Sequence, residues 1–335
     1  MAIGRQPRVR LAALPTPLHE APRFREALGG EQRAPRILIK RDDLTGLAFG
    51  GNKARKLEFL VADAQRQGAT ALVTTGAAQS NHARMTAAAA CAVGLRASLV
   101  LTGQPPSGAA EGNLLVDYLL GAEVHFVSDG RQEAAEVERV LEALRARGER
   151  PYLIPIGGSS PVGALGYVAG TLELVSQLAD RGEAPSRMYY ASGSRGTQAG
   201  LVLGAKLYSA PYRLYGMAVS GGEPEKTARA LRVANAAADL LGVTTRVTAD
   251  DLLTDHNYFG EAYGVVTAAG LEAIRLLARS EGILLDPVYT AKAMAGMIDH
   301  LRRGEVWPSD TVVFLHTGGT PALFAYADRL GLEHR

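Results

Sequence analysis

The stretch "RMYYASGSRGTQAGL" (187–201) decides the fold. The run "RMYYA" (187–191), with four apolar or aromatic residues after Arg187, reads as a strand. A loop of glycines and hydroxyls follows, and then a helical pattern opens. The same order recurs in "ALVTTGAAQSNHARMTAAAA" (71–90) and in "TVVFLHTGGTPALF" (311–324). Strands that run through a short loop into a helix belong to βαβ units, and such crossovers build parallel sheets.

Working outward, strands are predicted at 36–40, 71–75, 97–101, 123–127, 151–155, 187–191, 212–218 and 311–316. Helical periodicity lies between them, at 53–67, 81–93, 113–120, 132–147, 161–180, 197–208, 224–241, 268–281, 290–303 and 321–330. The fold class is therefore α/β, with two open, twisted, mainly parallel sheets. Two turn-rich stretches, "TGQPPSGAAEG" (102–112) and "GGSSPVGALG" (157–166), interrupt the pattern. The second suits a crossing between domains.

Composition excludes several classes of function. The chain has 335 residues, 47% hydrophobic and 21% charged, with a formal net charge of +2. Acids and bases are interspersed, so no basic stripe is available to track a phosphate backbone, and nucleic acid is not an expected partner. No apolar run reaches the roughly 20 residues that span a bilayer. The opening "MAIGRQPRVRLAALPTPLHE" lacks the apolar core and cleavage site of a secretion signal, and the expectation is a cytoplasmic protein. The single cysteine, Cys91 in "TAAAACAVG", reads as a small buried helix residue. Seven scattered histidines show no metal-ligand spacing.

In open parallel sheets, ligands sit beyond the carboxyl ends of the strands, so the loops after 75, 191 and 316 are the places to search. "SGSRGTQAG" (192–200) combines hydroxyls with a helix start and suits a phosphate or carboxylate. A capped strand-to-helix turn accounts for it equally well. Lys53, in "GGNKARKLEFL" (50–60), is by itself one more solvated base. Placed with a phosphate cup and the polar "QSNH" loop, it becomes a candidate carbonyl trap, since a lysine whose pKa is depressed by burial or by neighbours such as Arg55 and Lys56 is nucleophilic. A Schiff-base lysine with a phosphate cup is what pyridoxal phosphate requires. The glycines ahead of Lys53 would let a cofactor ring approach closely.

Seven blocks, "KRDDLTGLAFGGNKARKLEFL" (40–60), "GAAQSNHARMTAAAA" (76–90), "PIGGSSPVGALGYV" (155–168), "ASGSRGTQAGL" (191–201), "NYFGEAYGV" (257–265), "LLDPVYTAKAMAGMI" (284–298) and "HTGGTPALFAY" (316–326), resemble the D-cysteine desulfhydrase and 1-aminocyclopropane-1-carboxylate (ACC) deaminase family. That family belongs to the fold-type II pyridoxal-phosphate enzymes, with the tryptophan synthase β subunit. The resemblance implies that Lys53 holds the cofactor's aldehyde and then moves the substrate α-proton. It implies that Asn81 bonds the cofactor's phenolic oxygen and that Ser80 stands beside the cofactor near the substrate. His82, with Asn81 and backbone amides, would hold the substrate carboxylate. Gly193, Ser194, Gly196 and Thr197 would form the phosphate cup, with Arg195 facing solvent. Tyr263 and Tyr289 would face the substrate.

ACC deaminases usually carry glutamate after the tyrosine of "DPVY", where this chain has Thr290. A hydroxyl holds a protonated pyridine nitrogen less well than a carboxylate, and Thr317 adds a second hydroxyl. These positions favour a desulfhydrase-like β-lyase that converts D-cysteine to pyruvate, ammonia and hydrogen sulfide. ACC deamination and sulfonate elimination from cysteate are the nearest alternatives, with Arg84 or His82 available to either anion. A non-catalytic phosphate- or nucleotide-binding module is the alternative of a different class. The resemblance further implies a homodimer. Its large cofactor-binding domain would comprise 1–55 and 165–335, and its small mobile domain 56–164.

Overall fold

Strand and helix alternate along residues 2–331, which the computed structural model describes. In chain order these are β1 (Leu18–Glu20), α1 (Pro22–Ala27), β2 (Arg36–Arg41), α2 (Lys53–Arg66), β3 (Ala71–Ala77), α3 (Asn81–Ala92), β4 (Arg96–Thr102), α4 (Gly112–Leu119), β5 (Glu123–Val127), α5 (Gly130–Ala146) and β6 (Pro151–Ile154). There follow α6 (Pro161–Asp180), β7 (Arg187–Ser192), α7 (Gly196–Leu207), β8 (Arg213–Ala218), α8 (Glu225–Leu241), β9 (Thr254–Asp255), α9 (Ala268–Glu281), α10 (Thr290–Arg302), β10 (Thr311–His316) and α11 (Pro321–Ala325). Two sheets result, ordered β1-β2-β10-β7-β8-β9 and β5-β4-β3-β6. Every pairing is parallel except β1 with β2.

Period-two alternation sorts the large sheet's side chains between two cores. Leu38, Met188, Tyr190, Val313 and Leu315 face α6, α7 and α8, whereas Ile37, Ile39, Tyr189, Val312 and Phe314 face α9 and α10. The small sheet repeats the plan. Leu72, Leu99, Leu101 and Ile154 pack with α2, α3 and α4, and Ala71, Val73 and Val100 pack with α5. α2 joins the two halves, because Leu57, Leu60, Val61 and Ala64 enter the small core while Phe59 enters the large one.

Directly beneath Lys53, a buried ion cluster fixes α2 to β2 and α6. Arg55 donates from Nε and Nη2 to the two oxygens of Asp42 (2.8 Å each), and from Nη1 and Nη2 to Glu173 (3.0 and 2.8 Å). Tyr167 donates to Asp42 (2.6 Å), and Lys40 reaches Glu173, Gln177 and the Thr16 carbonyl. The charge of Arg55 is thus neutralised within this cluster.

Four readings change. β1 and β9 are polar segments of three and two residues that become strands only by pairing. The helix read across 321–330 is α11 followed by a separate 3-10 turn at Ala327–Arg329, because Tyr326 leaves helical dihedrals (φ −118°). Cys91 is exposed, since the last turn of α3 runs out to solvent. α6 has the length and hydropathy of a membrane-crossing helix, yet Leu165, Val168, Leu174 and Leu178 are core residues here.

Candidate active site

The carboxyl ends of both sheets face a shared cavity of about 370 Å³, within the range of small-molecule and cofactor sites. The small sheet supplies the β3–α3 loop, Thr102 and, on α5, Glu133. The large sheet supplies the β7–α7 loop, Val219 and Ser220 after β8, and Thr317 after β10. Lys53, Tyr263 and Tyr289 also line it, as do Lys226 and Arg229 of α8, and Glu133 is the one carboxylate in it among the described residues.

Lys53 is the first residue of α2 and points into this space. Its Nζ makes a single long contact, 3.5 Å to the Gly157 carbonyl, and burial pushes its ammonium down to about 8. The preceding glycines have a different purpose from the one expected. A Cβ on Gly50 (φ +68°) would stand 2.0 Å from the Asp43 carbonyl oxygen, and one on Gly51 (φ +131°) 3.1 Å from that of Thr317. Backbone crowding, rather than approach of a cofactor ring, requires glycine there. The turn also lets the Asn52 amide bond the Thr317 carbonyl (3.0 Å), which fixes where Lys53 begins.

The β7–α7 loop forms a cup whose hydroxyl hydrogens remain free. Ser194 accepts from Ser159 (2.8 Å), and Thr197 accepts from Asn52 Nδ2 (3.1 Å), so each can still donate into the cavity. At the start of α7 the Gly196 amide donates to Ser159 Oγ (3.2 Å), and those of Thr197 and Gln198 are left for an anion. Gly193, Ser194 and Thr197 line the cavity, whereas Gly196 lies behind it.

Lys56 completes the cup, and sequence reading had treated it only as a neighbouring base. It is fully buried, donates to the Gly157 carbonyl (2.7 Å) and has no acidic partner within 4 Å among the described residues. Burial, with Lys53 nearby, holds it well below the usual lysine range. A dianionic phosphate would supply the missing countercharge. A Cβ on Gly196 would come within 2.7 Å of Lys56 Nζ and of Ser159 Cα and Oγ. Gly196→Ala should therefore weaken retention of a phosphorylated cofactor by at least about tenfold, through overpacking of about 1–3 kcal/mol. Equilibrium dialysis of the loaded protein measures this.

Arg195 does not face solvent. It adopts φ +71°, a conformation costing a non-glycine residue about 1–2 kcal/mol, and its buried guanidinium donates to Ser192, Gln198 and Thr254 and pairs with Glu223. These bonds hold the cup's backbone in place. An arginine among glycines carries no sequence signal of this burial.

Ser80 caps α3, accepting from Ala83 N (3.2 Å). The amides of Asn81 and His82 then remain at the positive end of the helix, suited to a carboxylate. The His82 ring has a different character from the one expected. Thr74 gives its hydrogen to the Ile154 carbonyl (2.7 Å), so it can only accept from His82 Nε2 (2.9 Å). That fixes the tautomer, and Nδ1 is left as an unpartnered buried lone pair. Burial and the cations of Lys53 and Lys56 keep the ring neutral. A neutral ring offering a lone pair cannot donate to a carboxylate, which leaves the amides as the donors at this helix end. Arg84 is also withdrawn from anion binding, because it is fully buried outside the cavity wall.

On the opposite wall the hydroxyls of Tyr263 and Tyr289 meet at 2.5 Å. Burial raises both phenols, Tyr263 to about 12, so both carry protons at neutral pH. Lys292 of α10 holds the Tyr263 loop by the carbonyls of Phe259 (2.8 Å) and Ala262 (3.3 Å). Thr317 lines the cavity. Thr290 does not: its hydroxyl donates to Asp286 Oδ1 (2.7 Å) and accepts from Asp286 N (2.8 Å). These residues fit pyridoxal phosphate, with an enclosed amine, a buried lysine beside free hydroxyl donors, and a wall with more basic groups than carboxylates.

Comparison with known proteins agrees. The profile of the family described as "Pyridoxal-phosphate dependent enzyme" matches residues 9–318. A D-cysteine desulfhydrase of Salmonella choleraesuis (strain SC-B67) is 45% identical over 329 residues, 97% of each chain. A solved structure described as an ACC deaminase homologue superposes with a TM-score of 0.88 at 38% identity, covering 98% of this chain and 97% of that one. A pyridoxal 5'-phosphate-dependent aspartate racemase, at 16% identity and a TM-score of 0.63 over 91% of this chain and 90% of its own, shares the fold. The chain belongs to the pyridoxal-phosphate-dependent enzyme family, in its fold-type II branch.

Proposed function

We propose that the protein is a D-cysteine desulfhydrase, converting D-cysteine and water to pyruvate, ammonia and hydrogen sulfide. The observation that carries this reading is the 45% identity to D-cysteine desulfhydrase across 97% of both chains. The cofactor, when bound, supplies the electron sink that permits loss of the α-proton and of a β-substituent. Lys53 Nζ holds the cofactor's aldehyde, and as a free amine it takes the substrate α-proton. The amides of Asn81 and His82 bind the substrate carboxylate, with the Ser80 hydroxyl beside it. Tyr289, bonded to Tyr263, holds a proton for the departing group.

Thr317 supports elimination over ring opening. Thr317 brings a hydroxyl to the cavity, and the one carboxylate in the wall, Glu133, is carried by the other sheet. A deep, protonated electron sink is thus not built in, and a substrate with a good leaving group needs it least. ACC deamination is the second reading, favoured by the superposition on an ACC deaminase homologue. Steady-state assay of D- and L-cysteine, cysteate and ACC on one preparation tests both. Pyruvate and sulfide in equal amounts from D-cysteine are expected, and 2-oxobutyrate from ACC as the dominant product would overturn the assignment.

The depressed Lys53 gives a pH test. Only the neutral amine attacks a carbonyl, so capture of the cofactor by apo-protein should quicken about tenfold per pH unit up to about 8 and then level off. Stopped-flow absorbance follows it. A flat profile would contradict an enclosed lysine nucleophile.

In this reading residues 56–164 form the smaller, mobile domain, which contains all four strands of the small sheet, and its closure over the substrate excludes water. The assembly is a homodimer. Leu119 and Tyr118 of α4 and Phe324 of the adjoining α11 offer it an exposed apolar face. A free, exposed Cys91 suits the reducing cytoplasm as its location.

A further inference from the structure

Arg84 lies on α3 three residues beyond Asn81 and is fully buried. Its Nη1 donates to Asn81 Oδ1 (3.1 Å) and to Asn113 Oδ1 (2.7 Å), and its Nη2 to the Gly50 carbonyl (2.8 Å). Asn113, buried near the start of α4, donates from Nδ2 to Asn81 Oδ1 (3.1 Å) and to the Gln79 carbonyl (2.9 Å). Its backbone N–H is held by Gln79 Oε1 (2.8 Å).

A guanidinium has only donors, so the atoms facing it must be the oxygens of both amides. Flipping either side chain would set N–H against N–H. Asn81 Oδ1 is consequently held by two donors on the protein side. Its Nδ2 has no protein partner among the described residues, and Asn81 lines the cavity.

We propose that Arg84 and Asn113 are positioning residues, which fix Asn81 as a hydrogen-bond donor toward the phenolic oxygen of the bound cofactor. This rests on the pyridoxal-phosphate reading of the site. The Arg84 cation behind Oδ1 also polarises the amide and strengthens its N–H. Burial brings Arg84 down only to about 10, so it stays charged at neutral pH. Asp117, one turn beyond Asn113, is buried without a hydrogen-bond partner among the described residues and is pushed up to about 8, so it leaves that charge largely uncancelled. Through Gly50 the same guanidinium is tied to the turn that ends at Lys53. Donor and amine are thereby held in fixed relation.

The pH titration of the cofactor's visible absorption in the holoenzyme tests this. A phenolic anion that loses its donor leaves the nitrogen conjugated with it more basic. Arg84→Gln should therefore raise the midpoint by about one unit, the equivalent of a partly lost bond to a charged group. Asn113→Ala, which keeps the buried charge, should raise it less, and it serves as a second variant if the first fails to fold. In an Asn81→Ala background neither change should move the midpoint further, which a merely structural role would not produce. Unchanged midpoints in coloured variants, or equal shifts with and without Asn81, would overturn the proposal while leaving the cofactor reading intact. A colourless wild-type protein after loading would overturn both.

Discussion

Lys53→Ala should abolish pyruvate release from D-cysteine, lowering turnover by more than about 10⁴-fold, and should release the cofactor on dialysis. Both losses share one cause. Of the two lysines in the cavity wall, Lys226 is held by the Ser220 hydroxyl (2.6 Å), whereas burial pushes Lys53 down to about 8, so a useful fraction of it is neutral near physiological pH. Lys56 cannot replace it, since its Nζ bonds the Gly157 carbonyl at 2.7 Å and stands outside the cavity wall. The fold should not suffer. Lys53 makes one long contact, and removing a buried ammonium relieves a desolvation cost. Thermal unfolding of apo Lys53→Ala should therefore match the apo wild type or exceed it. Retained turnover would refute the role. Loss of turnover with gross unfolding would show that Lys53 is structural.

Arg55→Ala should be strongly destabilising, costing about 3–5 kcal/mol, because it leaves Asp42 in the interior without its ion-pair partner and takes from Glu173 one of its two cations. Burial alone would raise the Asp42 carboxyl, yet the Arg55 guanidinium overcomes this and holds it below the ordinary carboxylate range. Glu173 follows the same pattern, with Arg55 and Lys40 lowering it against burial. The sign of the pH dependence follows. Carboxyls lowered in the folded state add stability that is full above their unfolded values, near about 4, and lost as pH falls through the folded ones. Wild type should thus lose stability steeply in acid. Arg55→Ala should show a shallower slope from an already lower plateau. Urea unfolding at two pH values measures this, and a loss under about 1 kcal/mol would contradict a cluster that fixes α2 to β2 and α6.

What was legible in the sequence is what side-chain period and turn chemistry determine locally. β10, six residues bounded by Asp310 and the Thr317-Gly318-Gly319 loop, fell where the apolar run placed it, as did α6 and α9 between their caps. β1 and β9 were not legible, because Leu18–Glu20 and Thr254–Asp255 have no strand pattern of their own. The site divides in the same way. Lys53, Ser80, Asn81, Ser194, Thr197, Tyr263, Tyr289 and Thr317 lie on loops after strands or at helix starts and converge on one cavity. Lys56 is separated from Lys53 by less than one helical turn, and only the fold shows that it turns beneath the cup. His82 was placed correctly but given the wrong polarity, because its tautomer is set by Thr74 on a strand eight residues away. Thr290 was read as a cavity hydroxyl, whereas the Asp286 carboxylate at the start of its own turn captures it.

Two buried lysines with lowered pKa share one carbonyl acceptor, and the assignment between them is the point on which the chemistry turns. Borohydride reduction of the coloured protein, followed by proteolysis and mass mapping of the phosphopyridoxyl group, reads it out. The label is expected on Lys53 in a single peptide. A label on Lys56, or a protein that takes up no label, would contradict the site described here.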